Sequence, residues 1–132
     1  MNYLALARKA RLVEVGEEPV GAITRAGKAA LVIVASDASD HSWRRAKSYV
    51  AGTDQPCIRL KQTRDEMGMA VGRSSLAMAA FTDPALALSL VKAMDAPDGA
   101  VVELLEKKVE RQQRRRQEAK AHQRNVRKGK KK

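Results

Sequence analysis

The 132-residue chain carries 26 Lys and Arg against 15 Asp and Glu, for a formal net charge of +11, and aromatic residues make up only 3% of it. A single cysteine, Cys57, excludes an internal disulfide, no apolar run approaches the ~18 residues a bilayer span requires, and the length suits one domain. Residues 104–132 hold 13 of the basic residues but only 3 of the acidic ones, leaving a net charge of +1 on residues 1–103 and +10 on the tail.

A near-neutral body with a strongly basic extension is the pattern of a globular domain joined to a polyanion-binding arm. Nucleic acid is the leading candidate partner, because each Lys or Arg that neutralises a phosphate releases a condensed counterion. At the N-terminus, Arg8, Lys9 and Arg11 interrupt the chain before a long apolar stretch develops. A secretory signal is therefore not expected, and a cytoplasmic location is.

In chain order, Tyr3, Leu6, Ala7 and Ala10 recur at helical spacing, and Leu12 to Val15 forms a short β-prone run ending at Gly16. Glu17, Glu18 and Pro19 suit the first turn of a second helix, which should stop at Gly27. Leu31 to Ala35 is an unbroken aliphatic run, which predicts a strand buried on both faces and so helices on both sides of the sheet.

Ser39 can cap a third helix reaching about Ala51, and Gly52 to Pro56 is loop chemistry before a strand over Cys57 to Leu60. Thr63 and Glu66 have capping-box spacing, predicting a short helix over Arg64 to Val71 that ends at Gly72. Leu76 to Phe81 reads as a fourth strand. Thr82-Asp83-Pro84 then supplies a cap and a first-turn proline for a fifth helix through Met94, and Ala96 to Gly99 reads as a hinge. The expected fold is α/β: a three-layer α-β-α sandwich around a small mixed sheet of about four strands. Residues 1–98 would form the sandwich and residues 99–132 a basic helical or disordered extension.

Within that extension, Val101, Val102, Leu104, Leu105 and Val109 can hold the first turns against the body, and Glu103 with Lys107 and Glu110 with Arg114 are i,i+4 pairs. Beyond Val109 almost nothing can be buried. A fraying helix is expected there, with Arg127 to Lys132 disordered until they meet an anion.

The order of segments carries a resemblance. Leu6-Ala7-Arg8-Lys9-Ala10, Leu12-Val13, Gly16, Arg25-Ala26-Gly27-Lys28-Ala29 and Leu31 to Ser39 together resemble the ribosomal protein family that binds kink-turn RNA, most nearly its bacterial YlxQ-like branch. Met67-Gly68-Met69-Ala70-Val71-Gly72-Arg73 is similar to the family's Leu-Gly-x-Ala-x-Gly segment, and Phe81-Thr82-Asp83 to the strand end before its last helix. The resemblance covers roughly residues 3–93.

It implies a sandwich that recognises sharply bent RNA through two loops. One follows the first strand and carries a Gly-x-Asn-Glu-x-x-Lys type motif that reads guanine edges and holds phosphate. The other, after the fourth helix, packs against an extruded base. RNA is recognised mainly where bases are unstacked, so both devices fit their task.

This chain departs from the first motif. Aligned on Gly16 and on Arg25-Ala26-Gly27, Glu18 stands at the Asn position, Pro19 at the Glu position and Ala22 at the Lys position. The phosphate-holding lysine is lost, and Glu17 and Glu18 face where RNA would arrive. One glutamate can still accept from a guanine amino group, though two repel the backbone. Equally, both can serve only to stabilise a helix N-terminus.

In the second loop, Gly72 permits close backbone approach, Arg73 can contact phosphate or stack on a base, and Ser74 and Ser75 are small donors. A plain turn with one solvated arginine is the alternative. Arg25 and Lys28, at the end of the second helix, suit either RNA contact or the helix dipole. On the tail, Arg111, Arg114, Arg115, Arg116 and Lys120 are expected to contact phosphates. If ten phosphates were engaged, log K would fall with log salt at a slope of about −7.

Weaker candidates have plainer readings. Asp37 follows a buried strand but stands in ordinary capping sequence, Trp43 is expected to pack against the body, and the methionines to fill core gaps. His41 and His122 lack partners at zinc-ligand spacing, and phosphate-loop, dinucleotide and nucleophile-elbow motifs are all missing. No catalytic residue, metal, cofactor, small-molecule substrate or membrane contact is expected. The reading is a monomeric, non-catalytic RNA-binding protein, ribosomal or ribosome-associated. The alternative is a protein-interaction module of the same fold that has lost kink-turn recognition.

Overall fold

A computed structural model describes the backbone of residues 1–130 and the side chains of residues 1–124. The chain runs α1 (Asn2–Lys9), β1 (Val13–Val15), α2 (Glu17–Arg25), β2 (Leu31–Val34), α3 (Asp40–Val50), β3 (Cys57–Arg59), α4 (Arg64–Ala70), β4 (Met78–Phe81), α5 (Pro84–Lys92) and α6 (Gly99–Lys130). The alternation expected from the sequence is present throughout, with strands shorter than their apolar runs by one or two residues.

The caps account for the boundaries. Ser39 Oγ accepts from Ser42 N at 3.1 Å to open α3, and Asp83 Oδ2 accepts from Leu86 N at 3.0 Å to open α5 behind Pro84. Thr63 and Glu66 close the reciprocal box predicted for α4. Asp37, from the loop after β2, adds a carboxylate oxygen 2.7 Å from Arg64 N, so its role is to cap the first turn of α4.

The four strands form one mixed sheet in the order β1-β4-β2-β3. β4 pairs antiparallel with both β1 and β2, and β2 pairs parallel with β3. Helices α2 and α3 cover one face, while α1, α4 and α5 form the layer on the other. Every residue of β2 is fully buried, as its unbroken aliphatic run requires of a strand with helices on both sides. Phe81, Leu4, Leu31, Ile33, Met67 and Met78 are the largest fully buried side chains.

The register gives the sheet two distinct ends. β1 leads to Gly16 beside Met78, whose carbonyl accepts from Gly16 N at 3.1 Å, and β2 leads to Ala35 at the same end. At the other end Leu31 lies beside Phe81, and the loops carrying Gly27, Asp54 and Thr82 gather there.

α6 packs against α5 through its first turns. Asp98 Oδ1 accepts from Ala100 N and Val101 N, Leu105 is fully buried, and Glu106 reaches Lys92 at 3.6 Å. Glu103 and Lys107 form the expected pair at 3.5 Å, whereas Glu110 and Arg114 do not come within ion-pair distance.

The disorder expected from Arg127 onward is corrected as far as Lys130, because the helix continues to that residue. Once packing has formed the first turns the costly nucleus is in place, and good helix formers propagate it. Lys131 and Lys132 lie outside the described residues. No described helix is long and apolar enough to cross a membrane.

Candidate nucleic-acid interface

Two loops meet at the Gly16 end of the sheet. Gly16 joins β1 to α2 with φ 98° and ψ 161°, a region open essentially only to glycine, and so turns the chain straight into the helix. α4 ends in a Schellman motif, in which Arg73 N donates to Gly68 O at 2.8 Å and Gly72 N to Met69 O at 3.4 Å. Nη1 of Arg73 comes within 3.5 Å of the point where a Cβ on Gly16 would stand. The two segments singled out in the sequence, 16–18 and 72–75, are therefore neighbours in space.

The second loop is held by a close approach that the sequence signals only through a glycine. A Cβ on Gly68 would lie 2.7 Å from Ser75 N and 2.8 Å from Arg73 O, so any larger residue would push the loop outward. Leu76, buried, ties the end of the loop back through its N–H to Arg64 O at 2.9 Å. Gly72, Arg73, Ser74 and Ser75 are left exposed.

Electrostatics at this end differ from a simple facing pair of carboxylates. Glu17 turns to α3, where Oε1 meets Arg45 Nε at 2.5 Å, and Arg45 Nε also lies 3.1 Å from the Tyr49 hydroxyl. The Arg45 pKa is raised, by Tyr49 first and by Glu17 after it. Glu18 is exposed, and among the described residues neither Glu18 nor Arg73 has an ion-pair partner. The site thus presents one free cation and one free carboxylate beside two hydroxyls. Ala22 and Pro19, at the departures from the family motif, are exposed on α2.

Met69, just before the second loop, was missed by the sequence reading. It is 80% exposed in the last turn of α4, against 0% for Met67 and 1% for Met78, which do fill the core. The helical wheel was the available signal: with Met67 inward, a residue two positions on points away from it. Trp43 is half-buried against the core as expected, and its ring also carries Arg59 Cζ at 4.7 Å and Lys47 Nζ at 5.6 Å from the centroid.

The remaining predicted residues lie elsewhere. Arg25 and Lys28 flank the C-terminal end of α2, away from Gly16, and Lys28 lines a cleft of about 300 Å³ between the loops of that end and α6. Arg111 and Arg115 line the opposite wall, while Arg114, Arg116 and Lys120 are exposed elsewhere on α6. Lys108, half-buried on the cleft wall, has its pKa lowered, first by burial and further by Arg111, with Asp54 opposing. Among the described residues no cluster of His, Cys, Asp and Glu could hold a metal ion.

No family model and no curated protein matches the chain. Solved structures do resemble it. Among them, a protein of unknown function from Bacillus halodurans is 23% identical over 80% of this chain and 94% of its own, with a TM-score of 0.62. The 15.5kD RNA binding protein of Giardia lamblia is 20% identical over 80% of this chain and 81% of its own, with a TM-score of 0.50. At these identities the likeness is one of fold.

Proposed function

We propose that the chain is a non-catalytic, cytoplasmic RNA-binding protein that takes a structured, kink-turn-like RNA at the Gly16 end of its sheet. α6 adds phosphate affinity that does not depend on sequence, and the protein, a monomer without RNA, works on or beside the ribosome. The observation that carries this reading is the approach of the Arg73 guanidinium to Gly16, which sets a free cation between two exposed loops. The ordered likeness of residues 3–93 to the kink-turn family, the RNA binding of the Giardia lamblia neighbour and the +10 charge of residues 104–132 support it further.

The pairing of Glu17 with Arg45 weakens the objection that two carboxylates repel RNA, because one of them is already neutralised. Exposed Met69 and Arg73 offer what an extruded base needs, an apolar contact and a planar cation.

A second reading, a protein-interaction module of the same fold, is favoured by Pro19 and Ala22, which leave α2 without a phosphate-holding lysine. Purification at low salt separates the two. The RNA reading expects copurifying nucleic acid, seen as a high 260 to 280 nm absorbance ratio that ribonuclease removes. A nucleic-acid-free protein that still fails to bind added RNA would leave the interaction module.

A further inference from the structure

The body-facing stripe of α6 changes character along its length. Val101 and Leu105 pack on the body, but Lys108, Gln112 and Arg115 continue the same stripe at the helical repeat. A helix that only needed to dock would continue with apolar residues. Instead the stripe forms one wall of the cleft at the end of the sheet remote from Gly16, with Lys28, Asp54 and the start of α5 across from it.

The cleft is built rather than incidental. Its far wall is fixed from behind by Gln55, 5% exposed, whose Oε1 accepts from Ala29 N at 2.9 Å and whose Nε2 donates to Thr24 O at 3.1 Å. That clamp holds the loop bearing Lys28 against the loop bearing Asp54. At the rim, Asp83 is already engaged: Oδ2 caps Leu86 N and Oδ1 accepts from Gln112 Nε2 at 3.1 Å, which also ties α6 to the start of α5.

The lining charge is four cations, Lys28, Lys108, Arg111 and Arg115, against one carboxylate, Asp54. Among the described residues none of the four has a carboxylate within ion-pair distance, although the adjacent Lys107 pairs with Glu103 on the same helix. Converging unpaired cations in a concave site call for an anion with several acceptor oxygens, and two arginines suit a tetrahedral phosphate in particular.

We propose that this cleft is a phosphate-binding site, holding a phosphate group of an RNA backbone or of a free polyphosphate between Lys28 on one wall and Lys108, Arg111 and Arg115 on the other. The site is separate from the Gly16 loops and does not rest on their function. The half-buried Lys108 fits it, since an anion would offset the desolvation that now disfavours its charge.

The test uses the full chain and two charge-matched double variants. K28Q/R111Q removes one cation from each wall, whereas R8Q/K9Q removes two exposed cations from the end of α1, outside the cleft. Each protein is titrated with inorganic pyrophosphate and with a single-stranded oligouridylate, with thermal unfolding as the check on folding. The proposal expects K28Q/R111Q to lose about tenfold in affinity for at least one probe, with R8Q/K9Q within about twofold of wild type for that probe.

A deficit confined to the oligonucleotide identifies backbone phosphate as the ligand, and one confined to pyrophosphate identifies a free polyphosphate. Lys28→Gln alone, on a loop and off α6, must show part of the loss, so that undocking of the helix cannot account for it. Equal losses in the two double variants, or no loss with either probe, would overturn the site.

Discussion

Cys57 illustrates how position sets the chemistry of a single residue. At the start of β3, burial pushes its thiol from an ordinary 9.0 up to about 11, with Lys47 acting weakly in the other direction. At pH 8 the native thiolate population is then about a hundredfold below that of the unfolded chain, and alkylation should be slower by a similar factor. Timed iodoacetamide labelling in buffer and in urea checks this. The folded state also holds its proton longer than the unfolded one, so stability falls as pH rises from about 9 to about 11.

Ala22 is the residue-scale test of the proposed RNA site. It is exposed on α2 at the position where the kink-turn family has a lysine. Ala22→Lys should raise affinity for a kink-turn RNA several-fold and steepen its salt slope by up to about one unit, the yield of one added phosphate contact. Titration at three salt concentrations measures both. An unchanged slope would mean that RNA does not pass along this face of α2.

At the scale of elements, Gln55 joins segments that no local pattern connects. Gln55→Leu would strand the nearly fully buried Ala29 N–H, while Thr24 C=O would keep its bond from Gly27 N, and should cost about 2 kcal/mol in urea unfolding. A loss below about 1 kcal/mol would show that Ala29 N–H finds another partner.

The elements themselves were legible because each is announced locally: Thr63 and Glu66 at capping spacing, Pro84 behind Asp83, an apolar run too continuous for an edge strand. What could not be read was anything that depends on pairs distant in the chain. The Glu17–Arg45 bridge, the Gln55 clamp and the cleft between Lys28 and Arg111 exist only because the sheet order brings the segments together. The C-terminal stretch was also harder to read, since good helix propensity fits both a frayed arm and the helix that continues to Lys130 from turns docked on α5.

For the whole molecule, the sheet separates two polar ends. Among the described residues, the Gly16 end carries two adjoining loops with Arg73 outside any ion pair, and the other end carries the cationic cleft under α6. Such a division suits a protein that selects shape at one end and gains affinity from phosphate at the other. It also predicts that salt and specificity respond to different residues. Neutralising arginines on α6 should flatten the salt slope for every RNA alike, whereas changes at Arg73 should act on the choice between RNAs.

The direct measurement is binding of the full chain and its Arg73→Gln variant to a kink-turn RNA and to a length-matched straight duplex, at two salt concentrations. The account predicts a preference for the kink-turn of about tenfold or more, retained at the higher salt and largely lost in the variant. Equal affinity of the wild-type chain for both RNAs at both salts would contradict it, leaving phosphate attraction as the only RNA chemistry of the molecule.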